Sequence, residues 1–381
     1  MKMTSDLILT NARIVLADEI VEGTVAIRDG LITDVSPGTA RGGEDFGGDY
    51  LIPGLVELHT DHLEGHYAPR PKVRWNPLAA VLAHDAQVAT SGITTVFDAL
   101  RVGMDEDPEI TAQDMRKLAD AIEDGVARDR LRADHFIHLR CEVSADDCLE
   151  GFAQFDGDAR VRLASLMDHA PGQRQFVNLE TYSYYYQRKL KLTDEEFIRF
   201  CEKRTAQSDR NSRRNRLAIA QACQERGIVL ASHDDATIAH VDEAVEQGIR
   251  VAEFPTTLAA AAASKHAGMG VLMGAPNVVR GGSHSGNVSA RELAEHGCLD
   301  ILSSDYIPYS LIQSAFFLGD VVDSVSLPQA VAMVSKNPAA ATGLTDRGEI
   351  AVGKRADLVR VRVDEHIPVV RSVWREGRRV A

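Results

Sequence analysis

The chain has 381 residues, of which 44% are hydrophobic and 26% charged, and its formal net charge at pH 7 is −14. This balance is typical of a globular protein with a buried core. The acidic surplus argues against a nucleic-acid partner, because a general nucleic-acid surface needs an excess of basic residues. No apolar run approaches the ~18–20 residues that span a membrane, and the N-terminus lacks the pattern of a signal peptide. Both observations favour a cytoplasmic protein that has no membrane partner. The five cysteines form no CxxC pair, so we expect reduced thiols.

The two ends of the chain share a pattern of short runs in which apolar and polar residues alternate. Residues 13–16 and 24–27 carry this pattern near the N-terminus, and residues 357–361 and 369–374 carry it near the C-terminus. Alternation with a period of two, bounded by turns, predicts strands. We therefore predict that residues 1–50 and 345–381 join in one small β-sandwich domain.

The central region, residues 51–344, is predicted to form an α/β barrel of the (β/α)₈ or TIM type. Apolar runs of strand length alternate there with stretches of helical character, an order that predicts a closed parallel sheet surrounded by helices. The eight runs are residues 51–58, 93–100, 136–141, 163–167, 228–232, 251–254, 270–274 and 299–303. Active sites of such barrels lie at the C-terminal ends of the strands.

The connection between the fourth and fifth runs, residues 170–226, is too long for a simple loop. Connections of this length usually act as lids or as interaction surfaces. We expect one of these two roles for the segment.

Side chains of the types that bind metal ions follow six of the eight runs. His59 and Asp61 lie two residues apart, so a strand would turn both to the same side. Glu142 could bridge two ions, and Asp305 could both bind metal and act as the catalytic proton acceptor. The pattern leaves open whether Glu253 and His62 are ligands. The predicted ligands of one or two divalent ions, zinc or manganese, are His59, Asp61, Glu142, His169, His233 and Asp305.

Two basic segments indicate an anionic substrate in this acidic protein. Arg70 and Lys72 follow the first ligand pair, and a glycine-rich loop follows the seventh run. Loops after strands seven and eight are a frequent phosphate site in barrels, and backbone amides such as those of Gly281 and Gly282 can hold phosphate. The alternative is that this loop only packs against the barrel rim. The predicted substrate-binding side chains are Arg70, Lys72, Arg280, Ser283 and His284.

Several motifs together resemble the amidohydrolase superfamily. Residues 53–59 (PGLVELH) resemble its opening strand, and residues 348–359 resemble its return into a small β-domain. Residues 165–176 (SLMDHAPGQRQF), 231–237 (ASHDDAT) and 271–287 (VLMGAPNVVRGGSHSGN) resemble a branch that degrades phosphonates. This resemblance implies a metal-dependent diphosphatase that releases pyrophosphate from the 5-triphosphate of a phosphorylated sugar phosphonate.

The chain departs from the general superfamily pattern at three positions. Asp61 replaces the second histidine of the first strand, the fourth strand lacks a lysine, and Glu253 replaces the usual histidine of the sixth strand. An oxygen-rich ligand set moves the expected metal toward manganese, without excluding zinc. We also expect a homo-oligomer.

Two other functions fit parts of the pattern. One is an amidohydrolase that cleaves a C–N bond, although Arg70, Lys72 and Arg280 would have no evident role with a neutral amide. The other is a non-enzymatic barrel scaffold, against which the intact set of metal-binding side chains argues.

Overall fold

The computed structural model describes residues 6–103, 110–174, 182–183, 186–187, 190–283 and 286–381. Its strands form two sheets of eight strands each. The strands in chain order are β1 (Leu7–Val15), β2 (Ile20–Arg28), β3 (Leu31–Pro37), β4 (Glu44–Asp45), β5 (Tyr50–Pro53), β6 (Leu55–Thr60), β7 (Ile93–Val102), β8 (Asp134–Glu142), β9 (Val161–Met167), β10 (Val229–His233), β11 (Val251–Glu253), β12 (Gly270–Gly274), β13 (Ile301–Ser303), β14 (Leu358–Asp364), β15 (Ile367–Arg375) and β16 (Arg378–Arg379).

Helices follow most strands of the central region. In chain order the described helices are α1 (His62–Tyr67), α2 (Pro77–Thr90), α3 (Ala112–Ala127), α4 (Cys148–Ala153), α5 (Asp194–Arg226), α6 (Ile238–Glu246), α7 (Leu258–His266), α8 (Ala275–Arg280), α9 (Ala290–Glu295), α10 (Ser310–Val321), α11 (Leu327–Ala332) and α12 (Lys336–Ala341). Within the described ranges, no helix combines the length and apolar character needed to cross a membrane.

Strands β6 to β13 form one parallel sheet in their chain order, and each of the eight predicted runs contributes one strand. Side chains such as Val56, Phe97 and Leu163 fill the interior. The ends of the sheet meet where Thr60 bridges Asp305 in parallel register. The predicted (β/α)₈ barrel is therefore confirmed.

The first predicted run divides at Gly54 into two strands that serve different sheets. Strand β5 pairs with β14 in the sheet formed by the chain ends, whereas β6 pairs with β7 in the barrel. A Cβ atom on residue 54 would lie 2.2 Å from Thr94 Oγ1. Thr94 belongs to β7, so only glycine at residue 54 allows the chain to pass so close to that strand.

Both chain ends contribute to the second sheet, as the alternating patterns predicted. Its strand order is β16-β15-β14-β5-β1-β2-β3, and β4 pairs with β1. Leu9, Ile14, Phe46 and Trp374 are among the side chains of its apolar core. The prediction that the two chain ends join in one β-structure is therefore confirmed, with their strands in one continuous hydrogen-bonded sheet.

Asp134, at the start of β8, connects the barrel to the C-terminal segment. Its carboxylate lies 2.6 Å from Arg347 Nη1, 2.8 Å from Arg355 Nη1 and 3.3 Å from Arg375 Nη1. One carboxylate thus pairs with three guanidinium groups at the end of the barrel opposite the strand C-termini.

Most of the long connection between β9 and β10 is helical. Helix α5 begins after a capping box, in which the Thr193 and Glu196 side chains bond reciprocally to the backbone, and it ends at Gly227 in the left-handed conformation. Both are standard helix boundaries. Residues 194–226 therefore form one helix, which fills the described C-terminal part of the long connection.

Candidate metal centre

The candidate site lies at the C-terminal end of the barrel, where three residues leave the direction of their strands. Asp234, Phe254 and Asp305 have φ values of 57°, 53° and 55°. A residue in this left-handed region interrupts the alternation of side chains along a strand. Consecutive side chains can then reach the same place, and Oδ2 of Asp234 lies 3.4 Å from Nε2 of His233.

Three side chains converge on one side of this barrel mouth: His169, His233 and Asp234. Asp234 Oδ2 lies 3.6 Å from His169 Nε2. This oxygen is buried, and no described residue makes a hydrogen bond to it. Buried polar atoms are seldom left without a partner, and imidazole and carboxylate are ligands that zinc and manganese accept. The donors present therefore fit a divalent ion.

A carboxylate lies behind each of the two imidazoles. Glu142 Oε2 lies 2.7 Å from His169 Nδ1, and Glu253 Oε2 lies 3.1 Å from His233 Nδ1. Carboxylates in this position fix the ring orientation of metal-binding histidines and raise their basicity. Burial alone would lower the pKa of His169, but Glu142 and Asp234 raise it well above its usual value. An ion that binds His169 must therefore displace a proton.

The structure places Glu142 behind His169 and does not place it between two groups of ligands, as a bridging role requires. Its second oxygen, Oε1, accepts hydrogen bonds from Ser144 Oγ at 2.5 Å and from the His169 amide at 3.2 Å. Both oxygens of Glu142 are thus used by protein donors. These contacts place Glu142 where it supports His169, and its role as a metal ligand stays a prediction.

A second group, His59, His138 and Glu253, lies directly beside the first. Glu253 is completely buried, and its Oε1 lies 3.2 Å from His59 Nδ1. The Nδ1 atom of His138 lies 2.9 Å from the Leu58 carbonyl oxygen, which fixes its tautomer with the proton on Nδ1. Burial lowers the pKa of His138 to about 3, so this imidazole is neutral. Through its two oxygens, Glu253 connects His59 of this group with His233 of the first group.

Asp61 and Asp305 lie at the rim of the same mouth. Asp61 accepts a hydrogen bond from Arg140 Nη1 at 3.3 Å, and its side chain is 37% exposed. Burial raises the pKa of Asp305, and the neighbouring Asp61 raises it further against the effect of His59 and Arg140. Neither carboxylate belongs to the convergent groups found among the described residues.

Helix α5 supports the site through polar contacts. Arg204 Nη2 donates to Ser144 Oγ at 3.0 Å, and its guanidinium lies 3.7 Å from Glu142. Further along the helix, Ser208 Oγ donates to Asp168 Oδ2 at 2.8 Å. The described part of the long connection thus packs behind Glu142 and beside Asp168, next to His169.

Sequence reasoning missed three residues of this region and left a fourth undecided. Asp234 and His138 were not predicted as ligands, and the role of Glu253 was left open although it lies at the centre. Glu57 was also missed: its oxygens accept from the His59 amide at 2.6 Å and the Ser304 amide at 2.5 Å, and burial raises its pKa to about 8. A carboxylate inside an otherwise apolar strand was the available signal for Glu57 and Glu253, because such a group is costly to bury without partners.

The predicted substrate-binding residues lie on the segment after α1 and at and after the C-terminal end of α8. Arg70, Lys72 and Arg280 are exposed and Ser283 is half-buried, whereas His284 lies outside the described residues. The amides of Gly281 and Gly282 donate to the carbonyl oxygens of Val278 and Asn277 at 3.2 and 3.0 Å. These two amides close the last turn of α8, so the expectation that they bind phosphate is wrong.

The barrel fold and the convergent donors are typical of one class of protein, the metal-dependent barrel hydrolases. Comparisons with known proteins support the same class. A model of the amidohydrolase family matches residues 218–381. The alpha-D-ribose 1-methylphosphonate 5-triphosphate diphosphatase of Escherichia coli (strain K12) is 49% identical over 378 residues, which are 98% of this chain and 100% of that protein. The chain therefore belongs to the amidohydrolase family, within the group of that diphosphatase, and it is a hydrolase. The predicted resemblance is confirmed.

Solved structures show the same fold at low identity. The N-acetyl-D-glucosamine-6-phosphate deacetylase of Mycobacterium smegmatis aligns with a TM-score of 0.65 at 17% identity, over 99% of both chains. The 5-methylcytosine deaminase of Klebsiella pneumoniae aligns with a TM-score of 0.64 at 16% identity, over 98% of both chains. At such identity these structures support the fold alone.

Proposed function

We propose that this chain hydrolyses alpha-D-ribose 1-methylphosphonate 5-triphosphate to the 5-phosphate and pyrophosphate during phosphonate degradation. The observation that carries the proposal is the 49% identity to a diphosphatase named for this substrate, over that protein's full length. The convergent donors at the barrel mouth supply a place for the reaction.

In this proposal His169, His233 and Asp234 hold a divalent ion, zinc or manganese. His59, with Glu253 behind it, is the first candidate to hold a second ion, and Asp61 and Asp305 complete the set from the rim. A bound divalent ion would lower the pKa of a water molecule and polarise a phosphoryl oxygen. Glu142 and Glu253 keep the imidazole rings oriented through their Nδ1 atoms.

Asp305 is the proposed proton acceptor. Burial and the adjacent Asp61 raise its pKa, and a carboxylate with a raised pKa is a stronger base toward the attacking water.

Arg280, Ser283 and His284, with Arg70 and Lys72, are the proposed contacts to the triphosphate. A protein with a net charge of −14 repels such a substrate, so local cations are needed to attract it. Arginine can bind a phosphate through two parallel N–H donors.

The proposal extends to the organisation of the protein. Residues 1–50 with 345–381 form one domain and residues 51–344 the catalytic one, the protein acts in the cytoplasm, and it forms a homo-oligomer. Limited proteolysis, cell fractionation and light scattering after gel filtration test these three statements.

Phosphorus NMR of the products tests the reaction directly. With zinc or manganese supplied, the triphosphate should yield pyrophosphate and the sugar 5-phosphate, and Asp305→Asn should abolish the signal of both. Release of ammonia or acid from a panel of amides, with no pyrophosphate from the triphosphate, would replace the proposal with C–N hydrolysis. Less than one metal ion per chain and no product from either substrate class would indicate a scaffold.

A further inference from the structure

Three imidazoles outside the barrel mouth form a separate cluster. His62 and His66 are four residues apart on α1, so they share one face of the helix, and His84 faces them from α2. The ring centroids of His62 and His66 are 4.8 Å apart, and those of His62 and His84 are 5.8 Å apart. One nitrogen from each ring lies within 4.8 Å of the other two.

Each ring presents a buried nitrogen that lacks a partner. Nδ1 of His62, Nε2 of His66 and Nδ1 of His84 have no hydrogen bond to any described residue. His84 is completely buried, so bulk water does not satisfy its nitrogen. Three such atoms together are unusual, because buried polar groups are generally paired.

The surroundings fix the lone pair of His84. Its Nε2 lies 2.8 Å from Asp98 Oδ1, and the other oxygen of Asp98 lies 2.7 Å from His135 Nδ1. The carboxylate oxygen accepts, so His84 donates through Nε2, and the tautomer of the ring that does so carries its lone pair on Nδ1.

We propose that His62, His66 and His84 bind one zinc ion at a site separate from the barrel-mouth centre. Three imidazole nitrogens with a carboxylate behind one of them are a recognised zinc arrangement, and the fourth position is open to water. His62 and His66 are only half-buried, so the ion can enter from solvent. The ion links α1 to α2 and thereby steadies the segment between Asp61 and Arg70.

Metal content provides the test, with His62→Ala and His66→Ala as the variants, because both residues are half-buried on a helix and tolerate truncation. His266→Ala, at an exposed residue of α7, is the matched control. After dialysis against micromolar zinc, each test variant should hold one ion fewer per chain than the wild type and the control. Circular dichroism verifies that all variants are folded.

A second experiment separates the two centres. In a His233→Ala background, which weakens the barrel-mouth site, cobalt should still give the visible absorption of a tetrahedral ion, and adding His66→Ala should remove it. Zinc should raise the Tm of the His233→Ala protein but not of the double variant. Equal metal content in the wild type, His62→Ala and His66→Ala, or a cobalt spectrum that is unaffected by His66→Ala, would overturn the proposal.

Discussion

Glu253→Gln tests how the barrel-mouth imidazoles are held in place. Glu253 is completely buried, and its two oxygens lie 3.2 Å from His59 Nδ1 and 3.1 Å from His233 Nδ1. Glutamine has nearly the same shape, but it keeps only one acceptor oxygen. Its NH₂ group would face the N–H of the other imidazole, so one hydrogen bond is lost and the bond that remains is no longer charge-assisted.

The expected effect follows from that single bond. A hydrogen bond to a charged group contributes about 1.5–3 kcal/mol, and about 1.4 kcal/mol corresponds to a tenfold change in an equilibrium constant. The affinity of the barrel-mouth site for its first ion should therefore fall by roughly 10- to 150-fold. This range agrees with the roughly 10- to 100-fold loss usual for carboxylates behind metal-binding histidines.

Competition with a chromophoric chelator at fixed pH measures this affinity. The control is Glu246→Gln, which removes an exposed carboxylate at the end of α6 and should leave the Kd unchanged. A Kd for Glu253→Gln within about threefold of the wild type, which corresponds to less than about 0.7 kcal/mol, would refute the reasoning. Complete loss of binding would instead identify Glu253 as a direct ligand.

Three further predictions concern the substrate, the stability and its pH dependence. Arg280→Lys should lower kcat/KM for the triphosphate about 10- to 100-fold, because lysine lacks the paired donors, and metal content should not change. Asp134→Asn should lower the free energy of unfolding by about 3 kcal/mol in urea titrations, because three guanidinium groups lose their shared carboxylate. Burial alone would raise the pKa of Asp134, but Arg355 and Arg347 hold it below its usual value. Its stabilisation is therefore complete above the unfolded pKa, and the difference between wild type and variant should shrink below about pH 4.

Matched variants accompany these measurements. Arg291→Lys alters an exposed ion pair on α9 and should retain wild-type kinetics, so an equal result for Arg280→Lys would remove Arg280 from the substrate site. Asp129→Asn breaks an exposed pair with Arg378 and should cost less than about 1 kcal/mol. A pH-independent difference for Asp134→Asn would show that its charge is not the source of the stabilisation.

The barrel was predictable because its strands are buried on both faces and therefore appear in the sequence as continuous apolar runs. The helical part of the long connection was also within reach. Thr193 and Glu196 form a recognisable capping box, and Gly227 is a typical helix end, yet the polar composition of α5 obscured it. The buried face of its earlier turns carries Arg204 and Asn211 instead of an apolar stripe, so hydrophobic periodicity indicated a helix only over residues 216–225.

The location of the site was predictable from the sequence, but the contacts between its side chains were not. His59, His169 and His233 were identified because each ends or follows a strand. Asp234 was missed because its left-handed backbone is not evident from the residue type, and strand alternation assigns it to the opposite face. The role of Glu142 depends on Ser144, whose contact arises from a turn that sequence periodicity does not describe.

The left-handed residues at the barrel mouth lower the stability of the protein, but they carry its proposed activity. Holding a residue that has a side chain in this conformation costs about 1–2 kcal/mol, a cost that glycine largely avoids. Phe254 packs against His59 with ring centroids 5.0 Å apart, and Asp234 and Asp305 carry the proposed chemistry. A laboratory selection for thermal stability alone should therefore enrich glycine at residues 234 and 305. The selected proteins would be more stable but inactive.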